Sequence, residues 1–292
     1  CDCVVYQSYG LNDGRFTSPN FPEYYPPNTN CILYSFFGDS QELIELTFLE
    51  FDLRMPGPDG KCVDFVRVFQ NLERPEVNEN NKWDVELCGN YSSLRRKKFY
   101  SSDRALILEF HTQSPTGYNN RFKGFSGIYQ FLDKTKFITT GTRVDGQPCT
   151  YEFQSTASHK SGRFFSPSYP QLYRPNTRCR FNFHAQPGER VRVVFTNIQL
   201  HHTDGSCLHA PDVLTVYDGE DTDSNVIAQY CEFHNTEEVI SFTSHMLVTF
   251  TSDQQHQEQG FAATYEFIGK TPAGTITRDT MNSTRGDSPV GG

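Results

Sequence analysis

Apolar and polar residues alternate with a period of two along much of the chain. Ile44, Leu46 and Phe48 alternate with polar residues, as do Leu106, Leu108 and Phe110, and farther on Cys179, Phe181 and Phe183, then Val191, Val193 and Phe195. Phe261, Ala263, Tyr265 and Phe267 close the series. Successive side chains of a strand point to opposite faces, so each run predicts a strand with one buried and one wet face. Turn signals such as Pro187-Gly188 and Asp218-Gly219 separate the runs, and no amphipathic helical stretch interrupts them. The pattern predicts an all-β fold built as an antiparallel sandwich.

The pattern occurs twice. Gly14-Arg15-Phe16-Thr17-Ser18-Pro19-Asn20-Phe21-Pro22 returns 148 residues on as Gly162-Arg163-Phe164-Phe165-Ser166-Pro167-Ser168-Tyr169-Pro170. At the same shift Tyr25 meets Tyr173, Asn28-Thr29 meets Asn176-Thr177, Cys31 meets Cys179 and Cys1 meets Cys149. With small gaps Cys62 meets Cys207, Cys88 meets Cys231, and Gly124-Phe125 meets Gly260-Phe261. This is a tandem duplication. It divides the chain into a first domain over 1–133, a linker over 134–148 that is poor in groups to bury, a second domain over 149–268 and a disordered tail over 269–292. A length of 292 residues accommodates two such units.

Composition narrows the setting. The net charge of −9 argues against nucleic acid as the main partner, because phosphate neutralisation needs a surplus of Lys and Arg. The dense basic run Arg95-Arg96-Lys97-Lys98 reads as a solvated loop that blunts a strand edge, or as a contact for an acidic partner or sulfated glycan. Nine cysteines at wide spacing, without a Cys-x-x-Cys pair, read as a disulfide framework in an oxidising compartment. The sequons at Asn90 and Asn282 agree with secretion and glycosylation. No run of about 18 apolar residues offers a membrane span, and no charged-then-apolar leader precedes Cys1, so the chain is read as a processed or excised extracellular segment, secreted or from a cell surface.

The opening Gly-x-Phe-x-Ser-Pro-x-(Phe/Tyr)-Pro-x-x-Tyr, the cysteines that follow and the closing Gly-Phe with alternating aromatics resemble the CUB domain in both copies. The resemblance implies a jelly-roll-like β-sandwich with the first cysteine joined to the second and the third to the fourth. On this copy number that means Cys1 or Cys3 with Cys31, Cys62 with Cys88, Cys149 with Cys179 and Cys207 with Cys231. The register favours Cys1–Cys31 and leaves Cys3 unpaired at the position of Tyr151, with the exchange of Cys1 and Cys3 open. Cys1-Asp2-Cys3-Val4-Val5-Tyr6 and the stretch from Asn71 to Asn78 are similar to invertebrate suppressor-of-lurcher proteins and, in kind, to neuropilin- and tolloid-like proteins. That likeness implies an auxiliary ectodomain that associates with ionotropic glutamate receptors at synapses and modulates them.

The resemblance also implies where calcium sits in many such domains: a Glu, two Asp residues and a supporting Tyr. Ca²⁺ takes about 6 to 8 oxygen ligands. Copy one has Tyr25 and Asp64, but Arg54 stands at the Glu position and Gln113 at the second Asp, so no calcium is expected there and Arg54 is expected to pair with Asp64. Copy two has Tyr173, Asp212 and Asp253, with His201 at the Glu position and Asp204 nearby as a substitute. Two readings stay open for it, a calcium site and a hydrogen-bonded polar loop. His201, His202 and His209 form an alternative zinc cluster.

Catalytic motifs are missing: there is no His-Glu-x-x-His, no Gly-x-Ser-x-Gly and no phosphate-cradling Gly-rich loop before a helix. Carboxylate pairs such as Glu50 and Asp52, or Asp221 and Asp223, read as solvated strand ends and loops. The chain is therefore expected to bind an extracellular protein and not to be an enzyme. Besides the receptor-associated role, two binding roles compete. One is a secreted matrix or growth-factor binder of the protease-enhancer kind. The other is integrin adhesion through Arg285-Gly286-Asp287 in the tail.

Overall fold

Alternating runs bury one face, and here each copy buries two such faces against each other. The computed structural model describes residues 1–113, 121–203 and 206–269. The first module contains β1 (Asp2–Gln7), β2 (Asp13–Thr17), β3 (Ile32–Phe37), β4 (Glu42–Asp52), β5 (Phe65–Phe69), β6 (Val85–Leu87), β7 (Lys98–Tyr100), β8 (Ala105–His111) and β9 (Gly124–Asp133). The second contains β10 (Thr142–Arg143), β11 (Thr150–Gln154), β12 (Ser161–Phe165), β13 (Arg178–His184), β14 (Glu189–Gln199), β15 (Val213–Asp218), β16 (Asn225–Tyr230), β17 (Glu237–Ile240), β18 (His245–Thr251) and β19 (Gly260–Gly269).

In module one a sheet ordered β1-β3-β8-β5-β6 faces one ordered β2-β9-β4-β7. In module two β10-β11-β13-β18-β15-β16 faces β12-β19-β14-β17. Between the sheets lie Phe16, Phe36, Ile44, Leu46, Phe48, Leu106, Leu108, Phe110 and Phe125 in one module, and Phe164, Phe181, Phe183, Val191, Val193, Phe195 and Phe261 in the other. This is an all-β pair of sandwiches. One detail departs from a purely antiparallel design: β1 runs parallel to β3, and β11 parallel to β13. The strand between them in sequence, β2 or β12, belongs to the opposite sheet, so the chain crosses over and returns in the same direction.

Disulfides join Cys1 to Cys31 and Cys149 to Cys179 at the start of these parallel pairs. Cys62–Cys88 and Cys207–Cys231 tie the entry and exit of the β5–β6 and β15–β16 hairpins. Each closes a loop of this size at a gain of about 2 to 4 kcal/mol. Cys3 is a free, exposed thiol on β1. At the corresponding place in module two Tyr151 stacks on Phe181, with ring centroids 5.7 Å apart.

The segment 134–148 has few apolar residues but is laid along module two. Phe137, at the end of a 3-10 turn (Lys134–Phe137), packs its ring on Phe165 and Tyr169. The Thr140 amide donates to the Arg163 carbonyl at 2.9 Å, and the Phe165 amide donates to Thr139 Oγ1 at 3.2 Å. β10 then pairs with β11. β11 and β12 otherwise offer unpaired backbone at sheet margins, and covering such margins supplies partners that composition does not reveal.

Candidate functional site

The same corner is built twice, from loops at one end of each sandwich. The turn after β2 or β12 delivers a tyrosine to the core margin, where Tyr25 is 1% and Tyr173 2% exposed. Directly before β5 and β15 stand Asp64 and Asp212, both buried. After β8 and β18 come Gln113 and Asp253, and after β4 and β14 come Arg54 and His201.

In module one Tyr25 Oη donates to Asp64 Oδ2 at 2.7 Å, and the Gln113 amide donates to Asp64 Oδ1 at 2.9 Å. In module two Tyr173 Oη donates to Asp212 Oδ2, and the Asp253 amide donates to Asp212 Oδ1 at 2.9 Å. The His201 amide donates to Tyr173 Oη at 3.1 Å, as the Arg54 amide does to Tyr25. Position four of the corner thus contributes backbone in both copies. Arg54 was expected to place its guanidinium on Asp64. Among the described residues no such ion pair forms, because Asp64 is already held by a phenol and an amide.

Burial pushes the phenols of Tyr25 and Tyr173 far above their ordinary range, and their bonds to Asp64 and Asp212 add to the rise. Asp212 is also raised, first by burial and in part by the like charge of Asp253, against the lowering effect of its two hydrogen bonds. The corners therefore differ in charge. Module two gathers two carboxylates, whereas module one has one carboxylate beside an Arg.

A profile of the CUB domain family matches residues 3–127 and 149–265. The chain belongs to the CUB domain family. Cubilin of the dog is 29% identical over 261 residues, covering 89% of this chain and 6% of cubilin. Human tolloid-like protein 1 is 24% identical over 286 residues, covering 91% of this chain and 27% of that protein. The chain thus spans a small part of these relatives. Among solved structures, the MASP-1 CUB2 domain bound to Ca²⁺ is 19% identical, with a TM-score of 0.34, covering 39% of this chain and 96% of that one. CUB domains are extracellular protein-binding modules. Among the described residues no helix is long and apolar enough to cross a membrane.

The other residues singled out in the sequence fall in varied places. Asn90 is exposed and caps a 3-10 turn, its side-chain oxygen accepting from the Ser93 amide at 3.0 Å. Asp204, Asn282, Arg285, Gly286 and Asp287 lie outside the described residues. The histidines proposed for zinc do not converge: His201 packs against His256 with centroids 4.7 Å apart, His202 approaches Glu232 at 3.7 Å, and His209 is exposed elsewhere.

The basic run has a role that its composition did not show. Lys98 does lie on β7, a sheet edge, but Arg95 to Lys98 line a cleft of about 420 Å³ between the two CUB modules. Arg96 is half-buried there, desolvation lowering its pKa while Glu258 opposes the fall. Arg95 Nη2 reaches His256 Nδ1 at 3.4 Å, and Gln171 Nε2 donates to Asn71 Oδ1 at 3.0 Å and to the Tyr100 carbonyl at 2.9 Å. Sequence reading missed this because groups that face the run, His256 and Glu258, lie about 160 residues away in the chain. Arg96→Glu sets like charge against Glu258. Amide protection of residues 255–259 is expected to fall while each module's stability changes by less than about 0.5 kcal/mol. Unchanged hydrogen exchange there would count against an interface role.

Proposed function

We propose that this CUB pair is a receptor-associated ectodomain that binds another extracellular protein, with calcium held in the second module at Asp212 and Asp253 and supported by Tyr173. The observation that carries the reading is the pair of carboxylates sharing one corner of module two. Asp212 has each oxygen engaged by one donor, leaving lone pairs for an ion, and no basic side chain pairs with either Asp among the described residues. Oxygen donors on three neighbouring loops suit a hard cation. When bound, such an ion stiffens the loops around it.

The corner loop is also the interface loop. From Asp253 the chain runs to His256 and Glu258, which face Arg95 and Arg96 of the first module. An ion at Asp253 thereby supports the loop that sets one module against the other, and this favours a recognition surface composed of both. A partner of the ionotropic glutamate-receptor class is favoured by the likeness of residues 1–6 and 71–78 to suppressor-of-lurcher proteins. Asn71 itself contacts Gln171 across the cleft. The competing role, a secreted matrix or growth-factor binder, asks only for a CUB pair that binds extracellular proteins.

Titration of the full chain with CaCl₂ is expected to show one site, lost in Asp253→Ala and retained in Gln113→Ala. At a hundredfold excess of calcium over Kd the second module should gain about 2.7 kcal/mol. An absence of heat and of any thermal shift overturns the calcium reading. Coprecipitation with glutamate-receptor ectodomains in calcium and in chelator tests the partner. Failure in both conditions, with matrix proteins or growth factors retained, favours the second role.

A further inference from the structure

Away from the calcium corner, the six-stranded sheet of module two carries a second group of metal-ligating side chains on its wet face. His184, the last residue of β13, stands directly opposite His245, the first residue of β18. Their rings lie edge to face with centroids 5.3 Å apart. A carboxylate flanks each imidazole: Glu152 Oε2 lies 2.6 Å from His184 Nε2, and Glu220 Oε1 lies 2.9 Å from His245 Nε2. One ligand atom from each of His184, Glu220 and His245 lies within 4.8 Å of the other two.

We propose that this cluster is a binding site for a transition-metal dication, Zn²⁺ foremost, with His184, His245 and Glu220 as ligands, water in the fourth position and Glu152 as the carboxylate that orients His184. Two imidazoles and one carboxylate match the nitrogen and oxygen preferences of zinc, and Glu220 with the nearby Glu152 balances its charge. Two imidazoles select against calcium, whose ligands are oxygens.

The fold holds the four groups in place. Asn182 Nδ2 donates to Glu152 Oε1 at 2.9 Å, which fixes the carboxylate while Oε2 faces His184. Ser244 Oγ lies 3.2 Å from His245 Nδ1, a partner for a proton on that nitrogen that leaves Nε2 for the metal. Asp218, two residues before Glu220, accepts from Thr243 N at 3.1 Å and Thr243 Oγ1 at 2.8 Å, so the turn carrying Glu220 is pinned to the turn that leads into His245. Tetrahedral zinc needs ligand atoms about 3.3 Å apart, given bonds near 2.0 Å. Glu220 has the freedom for the adjustment this requires, its side chain being 66% exposed on a turn.

The test uses the full chain with Cys3→Ser, which removes the exposed thiol, titrated calorimetrically with Zn²⁺ alone. One equivalent is expected to bind. Loss of an outer-shell partner alone costs about 10- to 100-fold in affinity. His184→Gln and His245→Gln, each removing a ligand, are therefore expected to weaken binding at least about 100-fold. The double variant His202→Gln/His209→Gln, at exposed histidines outside both sites, is expected to bind as the parent does. Both cluster histidines lie on the wet face, so the variants should fold; an unchanged thermal transition without metal verifies this. Co²⁺ in place of Zn²⁺ should give the intense visible bands of four-coordinate nitrogen and oxygen ligation. No binding by the parent, equal binding by His184→Gln and His245→Gln, or only the weak bands of six-coordinate Co²⁺ each overturn the proposal.

Discussion

Gly260→Ala is expected to destabilise the second module by about 2 to 5 kcal/mol, the sum of a backbone and a packing penalty. Gly260 has φ +88°, a left-handed conformation that an L side chain occupies at a cost of about 1 to 2 kcal/mol. An added Cβ also falls 2.0 Å from Ser166 Oγ and 2.7 Å from Ser166 Cβ, with Tyr173 Cδ1 at 3.3 Å behind them. Ser166 has no room to retreat. Its hydroxyl accepts from the Phe261 amide at 3.0 Å, and its own amide donates to the Phe261 carbonyl at 3.0 Å. Gly188→Ala is the control, since Gly188 has φ +85° with nothing within 4 Å of the added carbon. Urea unfolding should separate the two, the difference being the steric part. If both substitutions cost the same, contact with Ser166 is not what requires glycine there.

Phe125→Ala should cost the first module about 3 to 5 kcal/mol, the range for emptying a fully buried aromatic site. Phe125 is completely buried, and five rings surround it: Phe16, Tyr34, Phe48, Phe51 and Phe110, with centroids between 5.1 Å and 6.3 Å away. These rings come from both sheets, so none collapses into the space without pulling its own strand out of register. Calorimetry should show two transitions, one lowered by on the order of 10 °C or more and the other nearly unchanged. A single transition shifted as a whole would mean that the interface through Arg96 and Gln171 makes the two CUB modules unfold together. Phe125→Leu, which keeps most of the volume, should recover much of the loss.

These two positions show how far the chain could be read in one dimension. The Gly-Phe pair is visible as a repeat at 124–125 and 260–261, and the apolar alternation marks Phe125 and Phe261 as inward-facing. What requires the glycine is a serine about 95 residues earlier in the chain, brought against it only when β12 pairs with β19. The corner around Asp212 is similar. Tyr173, Asp212 and Asp253 are legible as a set from the family pattern. That His201 supplies its amide, and that Asp253 begins the loop which meets the first module, depends on how the loops close.

By itself the sequence determined the duplication, the strands and the inward-facing residues, because burial with a period of two is written locally in each run. It also marked the tyrosine and acidic positions at the end of each sandwich. Only the tertiary structure decided the parallel pairs β1–β3 and β11–β13, the course of residues 134–148 along module two, the cleft between modules and the opposition of His184 to His245. The physical reason is the same for all four. Each rests on which strand or loop lies beside which, and the partners of a hydrogen-bonding edge or a charged side chain are chosen by packing in space, at separations that no local pattern encodes.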